Sequence, residues 1–101
     1  MTAKVPVVMK PEYTMYLEDF NRMLWFHTDV YKWTKDVKDR FINDLNVLQS
    51  LVTLPIAALI QDSDTKLSKF SRIIGFVPVE QINGTDNQTY TILSRSLYWA
   101  D

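Results

Sequence analysis

The sequence has no cysteine, one histidine and two glycines in 101 residues. Without thiols there can be no disulfide framework, thiolate zinc site or cysteine nucleophile, and one imidazole cannot build a His-rich metal centre. Eleven basic and twelve acidic side chains give a formal charge of -1. No field of a single sign therefore exists to hold nucleic acid or an acidic lipid surface in bulk. No apolar run approaches the roughly 20 residues that span a bilayer, and Met1 to Lys10 lacks the apolar core of a signal peptide. The expectation is a soluble intracellular chain of one domain, residues 1–101, with room for one core but not for two lobes around a deep cleft.

What is present is apolar and patterned: 47% of the residues are hydrophobic and 13% aromatic. Val5 to Met9 is an apolar run broken by Pro6 and closed by Pro11, which suits an extended arm or edge strand because proline cannot donate to a ladder. Tyr13, Met15 and Leu17 alternate with Thr14, Tyr16 and Glu18. After the polar turn Asp19 to Arg22, Met23 to Phe26 is again bulky, so a β-hairpin is expected. A helix through Tyr16, Phe20, Met23 and Leu24 is the competing reading. Trp33, Val37, Phe41, Leu45, Leu48 and Val52 recur at intervals of three or four, and predict an amphipathic helix from Thr34 to Leu51 with Thr34 as its cap. Lys32 with Asp36, Lys35 with Asp39, and Asp36 with Arg40 have the four-residue spacing of charge pairs on its outer side.

Pro55 stops that helix, and Ile56 to Ile60 lacks alternation, as expected for a central strand covered on both faces. A second helix is expected from Thr65 to Ile74, capped by Asp64 or Thr65 and closed by Gly75. Phe76 to Ile82, the turn from Asn83-Gly84 to Asn87, and Gln88 to Ser96 form a terminal hairpin, with Asn83-Gly84 supplying the positive φ of a tight turn. The fold class is α/β, bordering on α+β: a single mixed sheet with two packed helices in the order β-β-α-β-α-β-β. Gln88 to Ser96, as the last strand, is expected at the sheet margin.

The segment Lys66-Leu-Ser-Lys-Phe-Ser-Arg-Ile-Ile-Gly-Phe-Val-Pro-Val-Glu, followed by a turn and Thr89-Tyr-Thr-Ile-Leu, resembles the closing half of the GNAT-type N-acetyltransferases. Leu24-Trp-Phe-His-Thr-Asp, the long helix and Pro55 to Ile60 are similar to the strand, helix and strand that come before it. The likeness covers Met23 to Ser96, an acetyltransferase-like core between the arm 1–12 and the tail 97–101, and extends to small acetyltransferase-like proteins of tailed phages. It implies a sheet that holds acetyl-CoA, with glycine-bared amides at the long helix's N-terminus around the pyrophosphate. Thr28-Asp-Val-Tyr-Lys-Trp-Thr-Lys-Asp-Val-Lys has no glycine there. Ser71 stands where many members place the tyrosine that protonates the departing thiolate. The resemblance thus implies a shortened scaffold acting as a non-enzymatic, phage-encoded binding or assembly protein in the host cytoplasm or the virion. Its expected partner is a host protein or virion component, with no cofactor. The alternative is an acyl-CoA-dependent N-acyltransferase with acetyl-CoA as cofactor.

Each candidate site residue has a plain structural reading beside the functional one. His27, near Asp29, could act as a general base or be an ordinary strand-end histidine. Asp62 and Asp64 fit either a hard cation or a helix cap. Lys32, Lys35 and Lys38, with Arg40, crowd a helix start whose dipole disfavours cations, which suggests either a bound anion or solvated ion pairs. No catalytic or metal-binding residue is assigned, and Lys32, Lys35 and Lys38 are the cofactor-binding candidates. Thirteen aromatic residues exceed what so small a core hides, so Tyr98 and Trp99 in the tail and Val7 and Val8 in the arm are candidate contacts with a protein partner or a second copy in a homodimer. A third reading, a nucleic-acid accessory protein using the basic helix start, has the balanced net charge against it.

Overall fold

The computed structural model describes residues 3–96. The element order is β1 (Val5–Met9), β2 (Tyr13–Phe20), β3 (Met23–Val30), α1 (Lys35–Leu51), β4 (Ile56–Gln61), α2 (Thr65–Ile73), β5 (Val77–Asn83) and β6 (Thr89–Arg95). All six strands form one sheet in the order β1-β2-β3-β4-β6-β5. Only β3 and β4 are parallel, and the other four pairings are antiparallel. The mixed sheet with two helices agrees with the sequence reading, with β1 added as an edge strand paired to β2.

The β2–β3 hairpin closes through Phe20 and Met23, leaving Asn21 and Arg22 as a two-residue turn with φ of 55° and 63°. Both central residues are left-handed, as the twist of a two-residue hairpin demands. Thr34 caps α1 by accepting the Val37 N–H at 3.2 Å. Of the three helix charge pairs, Asp36 and Arg40 meet at 3.2 Å. α2 is capped by Asp64, whose carboxylate accepts the Leu67 N–H at 3.0 Å. It ends in a Schellman motif: Gly75 N–H donates to Arg72 and Phe76 N–H to Ser71, with Gly75 at φ 102°.

Both helices lie on one face of the sheet. Phe41 of α1 is fully buried, with its ring centroid 4.9 Å from Tyr13, 5.8 Å from Phe70 of α2 and 6.4 Å from Phe26. Met15, Val37, Leu45, Leu48, Ile56, Ala58, Ile60, Ile74, Phe76 and Leu93 complete this core. Arg95 is buried under α1, donating to the Ile74 carbonyl at 2.9 Å and to Asn46, and burial lowers its pKa.

Three expectations are corrected. The last strand, β6, lies inside the sheet between β4 and β5, so the free edges are β1 and β5. Both edges carry a proline and a register shift, Pro6 in β1 and Pro78 in β5, features that blunt an edge against pairing with another chain. β4 is covered on both faces only in its first half: Ile56, Ala58 and Ile60 face the helices and Ala57 is buried on the opposite side, but Leu59 is 49% exposed on that helix-free side. In the β5–β6 turn the positive φ belongs to Asn87, not to Asn83-Gly84. Gly84 is needed for space, because a Cβ there would stand 2.6 Å from the Tyr90 ring and 2.6 Å from the Asp86 carboxylate.

Candidate functional site

The parallel strands β3 and β4 are paired only at Leu24 with Ile56 and Trp25 with Ala57, although β3 continues to Val30 and β4 to Gln61. Beyond that point they part, and the carboxyl ends of diverging parallel strands are where open α/β sheets present their crevice. In the β2–β3 hairpin, a two-residue turn makes its closing pair hydrogen-bonded, and every second pair outward repeats this. Tyr16 with His27 and Thr14 with Asp29 are such pairs, and the series continues in the Tyr31 N–H, which donates to the Glu12 carbonyl at 2.8 Å. The backbone groups of Thr28 and Val30 therefore point the other way, into the gap between β3 and β4.

A groove of about 580 Å³ occupies this end of the sheet. Thr28 and Val30 line it from β3, Tyr31 and Trp33 from the following loop, and Leu67 and Phe70 from α2. Trp33 packs edge-on against both Phe70, at 5.0 Å, and Phe41, at 5.6 Å, so its indole is a fixed wall. Lys32, Lys66 and Asp64 add charge. The Asp64 carboxylate is already engaged by the α2 amide it caps. Lys32 is thus the one cofactor-binding candidate that lines the groove; Lys35 and Lys38 do not. Lys66 was missed in the sequence reading. Its only signal there was its place just after the cap of α2.

The loop before α1 is held by one residue. The Glu12 carbonyl accepts the N–H groups of both Tyr31 and Lys32, at 2.8 and 3.2 Å. Its carboxylate takes the Arg40 guanidinium in a two-pronged contact at 3.2 and 3.3 Å. That guanidinium holds the Glu12 carboxyl below the usual carboxylate range. The Tyr31 and Lys32 amides are thereby used within the chain, and the Val37 amide is used by Thr34. A pyrophosphate held by bare backbone amides would have to displace these bonds at Tyr31, Lys32 and Val37. Ser71 is buried, and its hydroxyl donates to the Ser68 carbonyl at 2.7 Å on the same helix. It is not among the residues that line the groove.

The remaining candidates lie elsewhere. His27 is on the helix-free face, its Nε2 3.0 Å from the Glu18 carboxylate on the neighbouring strand. Asp29, expected beside it, instead accepts the Tyr16 hydroxyl at 2.8 Å, and this bond pushes the Tyr16 pKa up to about 12. Asp62 accepts from Thr91 at 2.6 Å and Gln81 at 2.5 Å, bonds that lower its pKa, so it braces the sheet margin. Among the described residues no cluster of three or more His, Asp or Glu is placed to hold a metal ion. Val7 is exposed on the edge strand and Val8 packs partly against the core. Tyr98 and Trp99 lie outside the described residues.

A mixed sheet whose one parallel pair splays at its carboxyl ends, with both connecting helices on one face, is the acetyltransferase-like architecture that the Lys66 to Glu80 segment resembles. A solved structure described as a GnaT-family acetyltransferase, from Bordetella pertussis, superposes with a TM-score of 0.63 at 13% identity. The match covers 84% of this chain and 57% of that one, so this chain spans little more than half the length of its structural neighbour. The fold is GNAT-like. No protein-family model matches the sequence, and no curated protein matches it. Among the described residues, no helix is long and apolar enough to cross a membrane.

Proposed function

We propose that this chain is a non-enzymatic binding or assembly protein built on a GNAT-like scaffold, and that its ligand is another protein. The observation that carries this reading is the state of the loop before α1. Its Tyr31 and Lys32 amides are tied to Glu12, where a cofactor-binding loop needs free donors aimed at the anion. The burial of Ser71, which leaves no acid at that position of α2, supports it independently. The resemblance to small acetyltransferase-like proteins of tailed phages supports a phage origin, with a host protein or virion component as partner.

Calorimetry with acetyl-CoA tests the reading. The expected result is no binding at micromolar affinity and no acetyl transfer to a peptide or polyamine amine. Micromolar binding accompanied by transfer would replace this proposal with the N-acyltransferase reading, which the splayed strands would then serve.

A further inference from the structure

We infer that the groove between β3 and α2 is a docking site for an extended peptide segment of a partner protein, one with an apolar anchor flanked by carboxylates. The inference rests on the non-enzymatic reading above and adds the partner's chemistry.

Three features select this occupant. The first is the edge of β3. Beyond Trp25 this strand has no paired neighbour on its inner side among the described residues, and the N–H and C=O groups of Thr28 and Val30 face the groove with the two-residue period of a ladder. Such an edge is satisfied by another extended backbone, the mode in which a peptide adds to a sheet. The outer edges of the sheet do not compete, because Pro6, Pro78 and their register shifts blunt them.

The second feature is the apolar wall. An extended segment lying along Thr28 to Val30 directs alternate side chains toward Trp33, Leu67 and Phe70. Leu67 is 41% exposed, and Trp33 remains 39% exposed although it packs against Phe41 and Phe70. Aromatic residues in a preformed hollow are the usual anchors of a protein contact.

Charge is the third. Lys32 and Lys66 stand at the groove, and neither has a salt-bridge partner among the described residues. The one carboxylate there, Asp64, is held by the α2 N-terminus. The groove is therefore complementary to an acidic segment.

The test uses the whole chain and a peptide labelled at its N-terminus, fluoresceinyl-aminohexanoyl-Glu-Leu-Thr-Phe-Glu-amide, followed by anisotropy. Saturable binding is expected, reduced at least tenfold by Lys32→Glu combined with Lys66→Glu, whose circular-dichroism melt should match that of the parent. Two N-methylated peptides test the strand pairing. Methylating one alternate set of amides should abolish binding, and methylating the other set should leave it within about threefold. No saturable binding, equal effects of the two methylated sets, or indifference to the lysine reversals would each overturn the inference. An acetyl-CoA titration of the same samples separates the two levels: cofactor binding with transfer refutes the non-enzymatic reading, whereas no binding of either probe refutes only the peptide site.

Discussion

Replacing Phe41 with alanine removes the ring on which the two helices and the sheet converge. Phe41 is fully buried, and its ring packs against Tyr13, Phe26, Trp33 and Phe70 at centroid distances of 4.9, 6.4, 5.6 and 5.8 Å. Losing the buried apolar surface costs about 2 kcal/mol. The change empties about 100 Å³, and at about 24 cal/mol per Å³ an unrelaxed cavity adds up to about 2 kcal/mol more. The sum, about 4 kcal/mol, falls within the usual range of about 3–5 kcal/mol for a buried phenylalanine. For a domain of this size it lowers the melting temperature by about 15–30 °C. Urea unfolding followed by tryptophan fluorescence reads the change directly. Because such a loss approaches the whole stability of a small domain, Phe41→Leu serves as the second variant, with an expected cost of about 1–1.5 kcal/mol. A loss below about 1 kcal/mol for the alanine variant would refute the placement of this ring at the centre of the core.

Arg22 occupies the second turn position of the β2–β3 hairpin at φ 63°, where glycine carries no Cβ penalty, so Arg22→Gly should raise stability by about 0.5–1 kcal/mol in the same unfolding assay. Gly84→Ala should lower it by about 1–3 kcal/mol, because the added methyl meets the Tyr90 ring at 2.6 Å; an unchanged midpoint would show that the ring is free to swing away. Glu12, Asp62 and Asp86 all have lowered pKa values, from the Arg40 bond, the Thr91 bond and the Tyr90 bond respectively. Groups whose pKa falls on folding stabilise fully above their unfolded pKa, so stability should decline as pH drops below about 5 and continue to fall through the lowered folded values. Urea midpoints measured between about pH 7 and 3 check this, and Glu12→Gln should flatten the decline.

Local interactions made much of this fold readable in the chain itself. The three-and-four spacing of Val37, Phe41, Leu45 and Leu48 marks the buried face of α1, and all four are buried. Thr34, Asp64 and Gly75 punctuate the helices because a cap is decided by a few neighbouring backbone groups. Alternation marked β2, and two prolines marked the arm that became β1. These signals need only a residue and its next few neighbours.

Tertiary structure alone decided what depends on distant segments. The insertion of β6 between β4 and β5 moved the last strand from the margin to the interior, and no spacing within Thr89 to Arg95 encodes which strand lies beside it. The exposure of Leu59 follows from both helices choosing the same face, a choice that the apolar run from Ile56 to Ile60 does not record. The site is the least legible part. The groove exists because β3 and β4 part after two residue pairs, and its loop amides are used because a carbonyl 19 and 20 residues earlier, that of Glu12, accepts Tyr31 and Lys32. Missing glycines are visible in the chain, but the hydrogen bonds that occupy the Tyr31 and Lys32 amides form only when the β1–β2 turn is carried by the sheet to the start of α1.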